Sequence, residues 1–428
     1  MMNTKEKNIR EFVYCNRKNR SKGMGKRTRI VLYALSLVTM LAMVTLIIFS
    51  HGRQSGAPAK DALSETDISS TEEPIQIPEA EKTDEADGQD EIQNDTEEEV
   101  TNIADGEKDE QAEAGNTEGD GSTTLIFAGD VLFANAFKSN YDARGIEKVI
   151  EPQLLQELQD ADIFMVNNEF PFSNRGEPME DKQFTFCCDP KYVKALNEMG
   201  VDIVSLANNH TLDYGRDALS DTFTTLDGAG ILYAGAGETK ERAYELQIIE
   251  KNGKKFGFLA ASRVVPESNW KVEERTPGML TAYDDTKLVQ LIKEARNGCD
   301  FLSVYIHWGV EYDAYPQDYQ TKIATDCFNA GADLILGAHT HCLQGISYIS
   351  GKPVFYSLGN FVFGQNIDKT AAVKVQVSSD GTVSYGLLPV YAAGGTTKLM
   401  DTNSASALYQ YMTQISDGVT IGADGKIN

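Results

Sequence analysis

Short apolar runs that end in polar, metal-binding residue types are the feature that most restricts how this chain can fold. The clearest is the run at 334–338, which is followed at once by two histidines one residue apart. From a loop, both imidazoles can converge on one point, which suits a metal ion better than packing in a core. The chain has only 5 histidines, and four of them stand just past such a run: His210, His307, His339 and His341. This repeated placement predicts one shared site.

Apolar runs and helical patterns alternate after residue 122, which predicts an α/β fold. We expect strands at 123–128, 163–166, 202–206, 231–234, 301–306 and 334–338. Helices are predicted between them at 152–160, 191–199, 217–228, 285–296 and 318–330. Asn252-Gly253 predicts a hairpin between 245–250 and 255–260. Further strands are expected near the end, at 345–349, 354–357, 371–377 and 383–390, before a last helix at 404–415.

In α/β folds, ligand groups gather at the carboxyl ends of the sheet strands. Seven polar residues fall at such positions: Asp130, Glu169, Asn209, His210, His307, His339 and His341. This mixed oxygen and nitrogen set suits a divalent ion such as Zn²⁺, Mn²⁺ or Fe²⁺. If Glu169 bridges, two ions can lie about 3.5–4 Å apart, as in enzymes of phosphoryl and related hydrolyses. A remaining imidazole can then act as general acid toward the leaving group.

Several of the candidate site residues also have a simpler structural explanation. Asp130 could cap a turn. Asn208 and Asn209 could shape a loop, and His307 could be a buried, hydrogen-bonded imidazole. Glu311, just beyond the strand at 301–306, is more often a solvated loop acid than a catalytic one. The convergence of so many donors at one predicted sheet edge favours a site over these separate explanations.

The first 122 residues differ sharply from the rest of the chain. Residues 1–29 form a basic tail, and residues 30–49 are about twenty uncharged residues, long enough to cross the cytoplasmic membrane as one helix. The basic tail should stay in the cytoplasm, which places the remainder outside the cell. A cleaved signal peptide is the alternative, disfavoured by the length of the apolar run and the lack of a small-residue cleavage pattern. Residues 50–122 hold about 23 acidic and about four basic residues, which predicts a disordered linker.

The net charge limits which binding partners are expected, and the cysteine spacing limits which disulfide bridges are expected. The formal net charge is −25, and without the tail and linker about −14 remains for residues 123–428. An acidic domain does not attract nucleic acid by itself, so we expect no nucleic-acid partner. The six cysteines are poorly spaced for a disulfide framework, and one bridge outside the cell is possible without being assignable.

Between about residues 124 and 363 the polar positions form motifs with a recognisable order. They are Gly129-Asp130, Asn167-x-Glu169, Ala207-Asn208-Asn209-His210 with Asp213-Tyr214-Gly215, His307-Trp308-Gly309-x-Glu311-Tyr312, Gly337-x-His339-x-His341, and Tyr356-Ser357-Leu358-Gly359-Asn360-Phe361. This series closely resembles the CapA family of poly-γ-glutamate capsule biosynthesis proteins, which are related to calcineurin-like metallophosphoesterases. The resemblance implies a metallophosphoesterase-like α/β/β/α sandwich over 123–428. It also implies a role in capsule polymer synthesis, export or anchoring at the bacterial cell surface.

The resemblance also implies a role for each motif residue. The metal ligands would be Asp130, the bridging Glu169, Asn209, His307, His339 and His341, with His210 as general acid. Supporting or substrate-binding positions would be Asn167, Asn208, Glu311 and Asn360. Leu132 stands where the phosphoesterase pattern has a histidine, and Asn167 with Glu169 replaces the usual G-D-x-x-D. One metal position therefore loses a ligand, and the site would hold one or two divalent ions.

These features predict a membrane-anchored, metal-dependent enzyme that cleaves or transfers an anionic surface polymer such as poly-γ-glutamate. Other membrane proteins of capsule synthesis are further candidate partners. A non-catalytic polymer-binding or export-assembly component is the first alternative, and Leu132 favours it. An extracellular metal-dependent phosphoesterase or nucleotidase is the second. Because a polyanion is repelled by an acidic domain, bound cations would have to supply the attraction.

Overall fold

A computed structural model describes residues 121–428 of the chain. The predicted anchor at 30–49, and all but the last two residues of the predicted linker at 50–122, lie outside these residues. The first strand begins at Thr123, where the sequence predicts that the folded domain begins. The described part of the chain contains sixteen strands in all, this one included, and eight α-helices.

The strands, in chain order, are β1 (Thr123–Val131), β2 (Ile163–Asn168), β3 (Ile203–Ser205), β4 (Leu232–Ala234), β5 (Ala236–Gly237), β6 (Gln247–Lys251), β7 (Lys254–Ser262), β8 (Gly278–Met279), β9 (Phe301–His307), β10 (Leu334–Ala338), β11 (Ile346–Ile349), β12 (Lys352–Phe355), β13 (Asn360–Val362), β14 (Ile367–Val377), β15 (Val383–Ala393) and β16 (Thr396–Leu399). The helices are α1 (Asn135–Arg144), α2 (Pro152–Gln159), α3 (Val193–Met199), α4 (Gly215–Ala229), α5 (Lys240–Tyr244), α6 (Thr286–Ala295), α7 (Asp318–Ala330) and α8 (Thr402–Ile415).

Two large mixed sheets organise these elements. The 8-stranded sheet has the order β16-β15-β14-β1-β2-β3-β4, with β13 paired to β1. Its strands β1 to β4 are parallel, and β14, β15 and β16 extend it in antiparallel fashion. The 6-stranded sheet has the order β11-β12-β10-β9-β7-β6, with four parallel strands between antiparallel edge strands. Parallel strands put their carboxyl ends at the same edge, so each sheet presents one such edge.

The two sheets pack face to face. The ring of Phe127 in β1 lies 6.4 Å from that of Phe258 in β7, centroid to centroid. The hydroxyl of Tyr305 in β9 donates a hydrogen bond of 2.8 Å to the carbonyl of Ala128 in β1. Because this hydroxyl is buried, the bond also satisfies a group that would be costly to leave unpaired.

Helices cover the outer faces of both sheets. On the 6-stranded sheet, α6 and α7 pack onto a separate core that includes Leu288, Ile323 and Val304. Helices α2, α3 and α4 bury apolar residues such as Leu158 and Leu196 in the larger core, which the 8-stranded sheet shares. All residues of β2, β9 and β10 are buried, as expected for parallel strands covered on both faces. The fold class is therefore mixed α/β, in four layers.

Most predicted elements are present, and the differences have identifiable causes. The hairpin at Asn252-Gly253 forms between β6 and β7, and the helix predicted at 318–330 is α7. The strand predicted at 354–357 instead occupies 352–355, directly after the turn at 350–351. Helix α1 was not predicted, because Phe137 is its one buried residue and no apolar stripe marks it. The short strands β13 and β16 were not predicted either, since pairing with longer neighbours defines them.

Two further features concern the described residues alone. The five cysteines at 187, 188, 299, 327 and 342 are free thiols, so no bridge joins any two of them. Among the helices of residues 121–428, none combines the length and apolarity that crossing a membrane requires.

Gly129 allows the loop before β13 to approach β1. No side chain fits at this position, since an added Cβ would lie 1.8 Å from the carbonyl oxygen of Gly359. The register of β1 against β2 shifts between Phe127 and Asp130, so the backbone is irregular here, next to the strand end. A bulge at such a place typically re-aims a neighbouring side chain.

We expect Gly129→Ala to lower the free energy of unfolding by about 3 kcal/mol, because backbone atoms of Gly359 would have to move. Gly228→Ala is the matched control, since an added Cβ there meets nothing within 4 Å. In a helix that change should be neutral or stabilise by up to about 1 kcal/mol. Denaturant-induced unfolding monitored by circular dichroism measures both. Equal midpoints for the two variants would contradict the close approach at Gly129.

Candidate metal centre

The carboxyl edges of both sheets supply the polar residues of one site. In the 8-stranded sheet, Asp130 near the end of β1 is registered with Asn167 of β2, and Glu169 follows β2 directly. In the 6-stranded sheet, His307 ends β9 and is registered with Ala338, the last residue of β10. His339 comes next in the chain. The packing of the two sheets thus brings donors that are far apart in sequence to one place.

Two groups of donor atoms share one carboxylate. The ligand atoms of Glu169, His307 and His339 all lie within 4.8 Å of one another, and we call these residues donor group A. Those of Asp130, Glu169 and His341 satisfy the same limit and form donor group B. The carboxamide oxygen of Asn209 lies 2.8 Å from Nε2 of His307. Donors that bind one ion at about 2.1 Å lie about 3 Å apart, so Asn209 fits group A.

Unpaired buried atoms show that the site suits a cation. No described residue forms a hydrogen bond with either carboxylate oxygen of Glu169 or with Nδ1 of His339, and these atoms are buried. Buried polar atoms are nearly always hydrogen-bonded, because leaving one unpaired costs about 1–3 kcal/mol. A divalent cation would pair with all three atoms. The residues therefore fit a metal ion.

The electrostatics of the site indicate the same kind of ligand. Burial raises the pKa of the Asp130 carboxyl to about 6, although nearby His341 opposes the shift. Burial, followed by the charge of Asp130, raises the pKa of Glu169 well above its usual range. Burial lowers the pKa of His307 well below its usual range and that of His339 to about 3. The imidazoles of His307 and His339 are thus neutral, as metal ligation requires, and neither carboxylate forms an ion pair with a described Lys or Arg.

Amide side chains hold the ligands in place. Asn167 donates a hydrogen bond of 2.7 Å to Oδ1 of Asp130, and its own oxygen accepts one of 3.1 Å from Asn208. Nδ1 of His341 lies 2.8 Å from the carboxamide oxygen of Asn360. Such partners fix the orientation of metal-binding side chains. These contacts are the geometry expected of supporting residues.

The two histidines after β10 have unusual backbone conformations. His339 has φ of 97° and His341 has φ of 55°, both in the region that favours glycine. The backbone N–H of His339 donates to Oδ2 of Asp130 over 3.1 Å. Strained backbone at non-glycine residues costs about 1–3 kcal/mol each and is concentrated at functional sites. The strain turns both imidazoles toward the donor groups.

His210 is held by an ion-pair network beside the donor groups. Its Nδ1 lies 2.6 Å from Oδ2 of Asp213, whose other oxygen contacts the ammonium group of Lys182. A proton on Nδ1 satisfies this carboxylate and leaves Nε2 for other partners. Burial lowers the pKa of His210, with Asp213 opposing the shift. His210 is therefore neutral at neutral pH and suited to accept a proton on Nε2, while Asp213 stabilises the charged form that can return it.

A solvent-open cleft of about 570 Å³ reaches the site. Its polar lining includes Asn209, His210 and His341, and four Phe or Tyr residues form part of its walls. The aromatic residues are Phe184, Phe186, Tyr312 and Phe363. Glu311 also lines the cleft but is exposed, so the structure sets it apart from the buried donors. The ten other residues predicted for the site lie together.

Lys182 is the participating residue that sequence reasoning missed. It lies in the long loop after β2, behind no apolar run, so nothing in its surroundings suggests a place in the site. Only the folding of this loop over the cleft brings it to Asp213. Asp213 had a weak signal, since it follows His210 by three residues within one motif.

Comparisons with known proteins agree with this organisation. The family model for the bacterial capsule synthesis protein PGA_cap matches residues 124–365, more than half of the chain. The PGA biosynthesis protein CapA of Bacillus subtilis is similar, at 28% identity over 319 residues, which cover 73% of this chain and 83% of the relative. The capsule biosynthesis protein CapA of Bacillus anthracis is 30% identical over 284 residues, covering 64% and 69% respectively.

One further relative and one solved structure are less similar to this chain. A probable polyglutamine synthesis accessory protein of Mycobacterium tuberculosis is 30% identical over 212 residues, which cover 47% of this chain and 55% of the relative. A crystal structure of 5'-nucleotidase from Candida albicans aligns with 71% of this chain and 55% of its own, at 9% identity and a TM-score of 0.35. At that level of similarity neither fold nor activity transfers. On the match of the family model and the CapA relatives, the chain belongs to the CapA family of poly-γ-glutamate capsule biosynthesis proteins.

Proposed function

We infer that this protein is a metal-dependent hydrolase or transferase that acts on a poly-γ-glutamate-type capsule polymer. The observation that carries this inference is the buried, unpaired carboxylate of Glu169, which two donor groups share beside an open cleft. The names of the relatives supply the polymer, since they describe PGA and capsule biosynthesis. The order of the motifs supports a metallophosphoesterase type of sandwich.

Each of the two donor groups would bind one metal ion. Donor group A, with Asn209, would hold one ion through four residues, and donor group B would hold a second through three. Leu132 lines the cleft where a histidine would add a ligand, so the second position is the weaker one. A bound ion of the Mn²⁺, Zn²⁺ or Fe²⁺ type would supply Lewis acidity and positive charge.

The other residues of the cleft move a proton and orient the substrate. His210 would exchange a proton with the substrate through Nε2, because Asp213 holds its other nitrogen. Lys182 keeps Asp213 in place through the second carboxylate oxygen. The aromatic walls would shield the reacting group from bulk water and contact the polymer's apolar atoms.

Charge explains why a polyanion would need the metal. Residues 123–428 carry a net charge of about −14, which repels a polyanion. Lys182 is the one Lys or Arg among the residues lining the cleft, and Asp213 already neutralises it. Bound cations are therefore the available source of attraction for a carboxylate in the cleft.

The place of action is part of the same proposal. Residues 30–49 would anchor the chain in the cytoplasmic membrane, with the basic tail inside and the catalytic domain outside the cell. There the domain would meet capsule polymer and the other membrane proteins of its synthesis. This topology rests on the amino-acid sequence.

A non-catalytic polymer-binding or export-assembly component is the second candidate. The observation in its favour is Leu132, which leaves donor group B one ligand short of the phosphoesterase pattern. In that case the ions would capture polymer carboxylates without turnover. The role of His210 separates the two candidates, because binding alone needs no proton exchange.

Removing a ligand should remove the metal. We expect His307→Ala to weaken binding at donor group A by more than about 100-fold, because direct ligands matter more than their supporting partners. His210→Ala is the matched control and should retain the wild-type metal content after dialysis. Elemental analysis by plasma mass spectrometry measures both variants. Equal metal content in the two would contradict the assignment of His307.

Metal affinity should depend on pH. Because the pKa of Asp130 is raised to about 6, a proton competes with the cation for this carboxylate below that pH. We expect the affinity for Mn²⁺ to rise at least about tenfold per pH unit up to about pH 6, and more slowly above it. Isothermal titration calorimetry in several buffers gives both affinity and released protons. Mn²⁺ binding to Asp130→Asn should release fewer protons than binding to wild type. An affinity for Mn²⁺ that is equal at about pH 5 and pH 7 would argue against carboxylate ligation.

Turnover should require both the metal and His210. We expect EDTA to abolish cleavage or transfer of poly-γ-glutamate by the full-length protein, and Mn²⁺ or Zn²⁺ to restore it. His210→Ala should lower the rate by about 10²–10⁴-fold with metal content unchanged, the usual range for a lost acid–base group. Polymer length measured by gel electrophoresis or light scattering reports the reaction. Full activity in metal-stripped protein rules out the metal-dependent enzyme, and unchanged activity in His210→Ala rules out the assigned proton exchange.

A further inference from the structure

Arg263 lies at the same sheet edge as the metal donors but outside the cleft. It follows β7 directly, and its backbone N–H donates a hydrogen bond of 2.8 Å to the carbonyl of His307. The preceding residue, Ser262, is registered with His307 across the β7–β9 pair. The backbone of Arg263 is therefore in direct contact with that of a predicted metal ligand.

Two tyrosines hold the guanidinium group of Arg263. Its central carbon lies 3.5 Å from the ring centroid of Tyr283 and 4.8 Å from that of Tyr319. Tyr283 is 71% exposed, so this stack stands at the surface. Stacking on aromatic faces leaves the N–H groups, which lie in the guanidinium plane, pointing away from the rings. The arginine is thus oriented without any of its donors being used.

These donors have no partner among residues 121–428. Nε of Arg263 is buried and unpaired, and its guanidinium group forms no ion pair with a carboxylate of the described residues. The other half-buried arginines also include unpaired buried nitrogens, in Arg216 and Arg242, but each of them donates at least one hydrogen bond to a carbonyl or carboxylate. They are Arg216, Arg242 and Arg296. An arginine that only structure required would be expected to find such a partner.

A chain of contacts joins Arg263 to the cleft. The hydroxyl of Tyr319 accepts a hydrogen bond of 2.9 Å from the backbone of Gly309, two residues after His307. The same loop continues to Tyr312, which lines the cleft with its ring 6.0 Å from that of His341. The loop from His307 to Tyr312 thus connects the surroundings of Arg263 with the wall of the cleft.

We propose that Arg263 binds a carboxylate of the capsule polymer outside the metal centre, as a second anchoring point for the chain. The proposal rests on the proposed function, since it takes the substrate to be an anionic polymer with a carboxylate on every unit. An arginine fork binds a carboxylate through two parallel hydrogen bonds, which the two terminal nitrogens of Arg263 can supply, because neither is among the buried unpaired atoms. Lys182 cannot take this role, because Asp213 and the carbonyl of Asn209 occupy its ammonium group.

The test compares polymer with a single unit. Labelled poly-γ-glutamate is titrated with Mn²⁺-loaded full-length protein, and affinity is read from fluorescence anisotropy. We expect Arg263→Gln to bind polymer about tenfold more weakly, the loss typical of a charge-assisted hydrogen-bonded pair. Free glutamate, which cannot reach both anchoring points, should compete equally well in both proteins. Arg263→Lys keeps the positive charge but lacks the planar guanidinium group, so its affinity for polymer should lie between those of wild type and Arg263→Gln.

Arg275→Gln is the matched control, because it removes the same charge from an exposed turn and should leave affinity unchanged. Equal polymer affinity in wild type and Arg263→Gln overturns the proposal while leaving the proposed function intact. If Arg263→Gln loses its fold or its metal, Arg263→Lys decides, and wild-type affinity in it overturns the proposal. An effect seen with inorganic polyphosphate but absent with poly-γ-glutamate overturns the carboxylate assignment. Wild-type protein that binds no polymer overturns both inferences.

Discussion

Two buried carboxylates that no lysine or arginine pairs with are the constraint on which the rest of the site depends. Asp130 and Glu169 lie where the two sheets meet, and within residues 121–428 their ion-pair partners are histidines alone. Burial is the largest cause of the raised pKa of each group, so the protein interior disfavours their charged forms. A cation at the donor groups would offset this cost, and the proposed metal binding would then stabilise the folded domain.

The sandwich architecture is what makes such a centre possible. Each sheet contributes the carboxyl edge of its parallel strands, and face-to-face packing places the two edges together. The close approach at Gly129 and the positive φ values of His339 and His341 complete the arrangement. These local strains are stable because long, fully buried strands on both sides determine where the loops begin.

The site is asymmetric, and the asymmetry bears on mechanism. Donor group A has four candidate ligands including Asn209, whereas Leu132 leaves donor group B with three. His210 stands apart from both groups, held by Asp213 and Lys182 in a chain of opposite charges. In the proposed function, the proton-exchanging residue is therefore not one of the proposed metal ligands, so that a substitution could abolish either role without the other.

The sequence by itself determined the fold class, the order of most strands and helices, and the polar residues that the structure brings together as candidate metal donors. It could do so because parallel strands buried on both faces read as apolar runs, and the residue that follows each run must lie at the sheet edge. Only the tertiary structure decided the exposed position of Glu311 and the involvement of Lys182. Both lie in loops whose path depends on contacts between distant residues, and no local pattern encodes such contacts. For the same reason the sequence does not single out Arg263. Its donors can be recognised as unpaired only when the positions of all neighbouring residues are known.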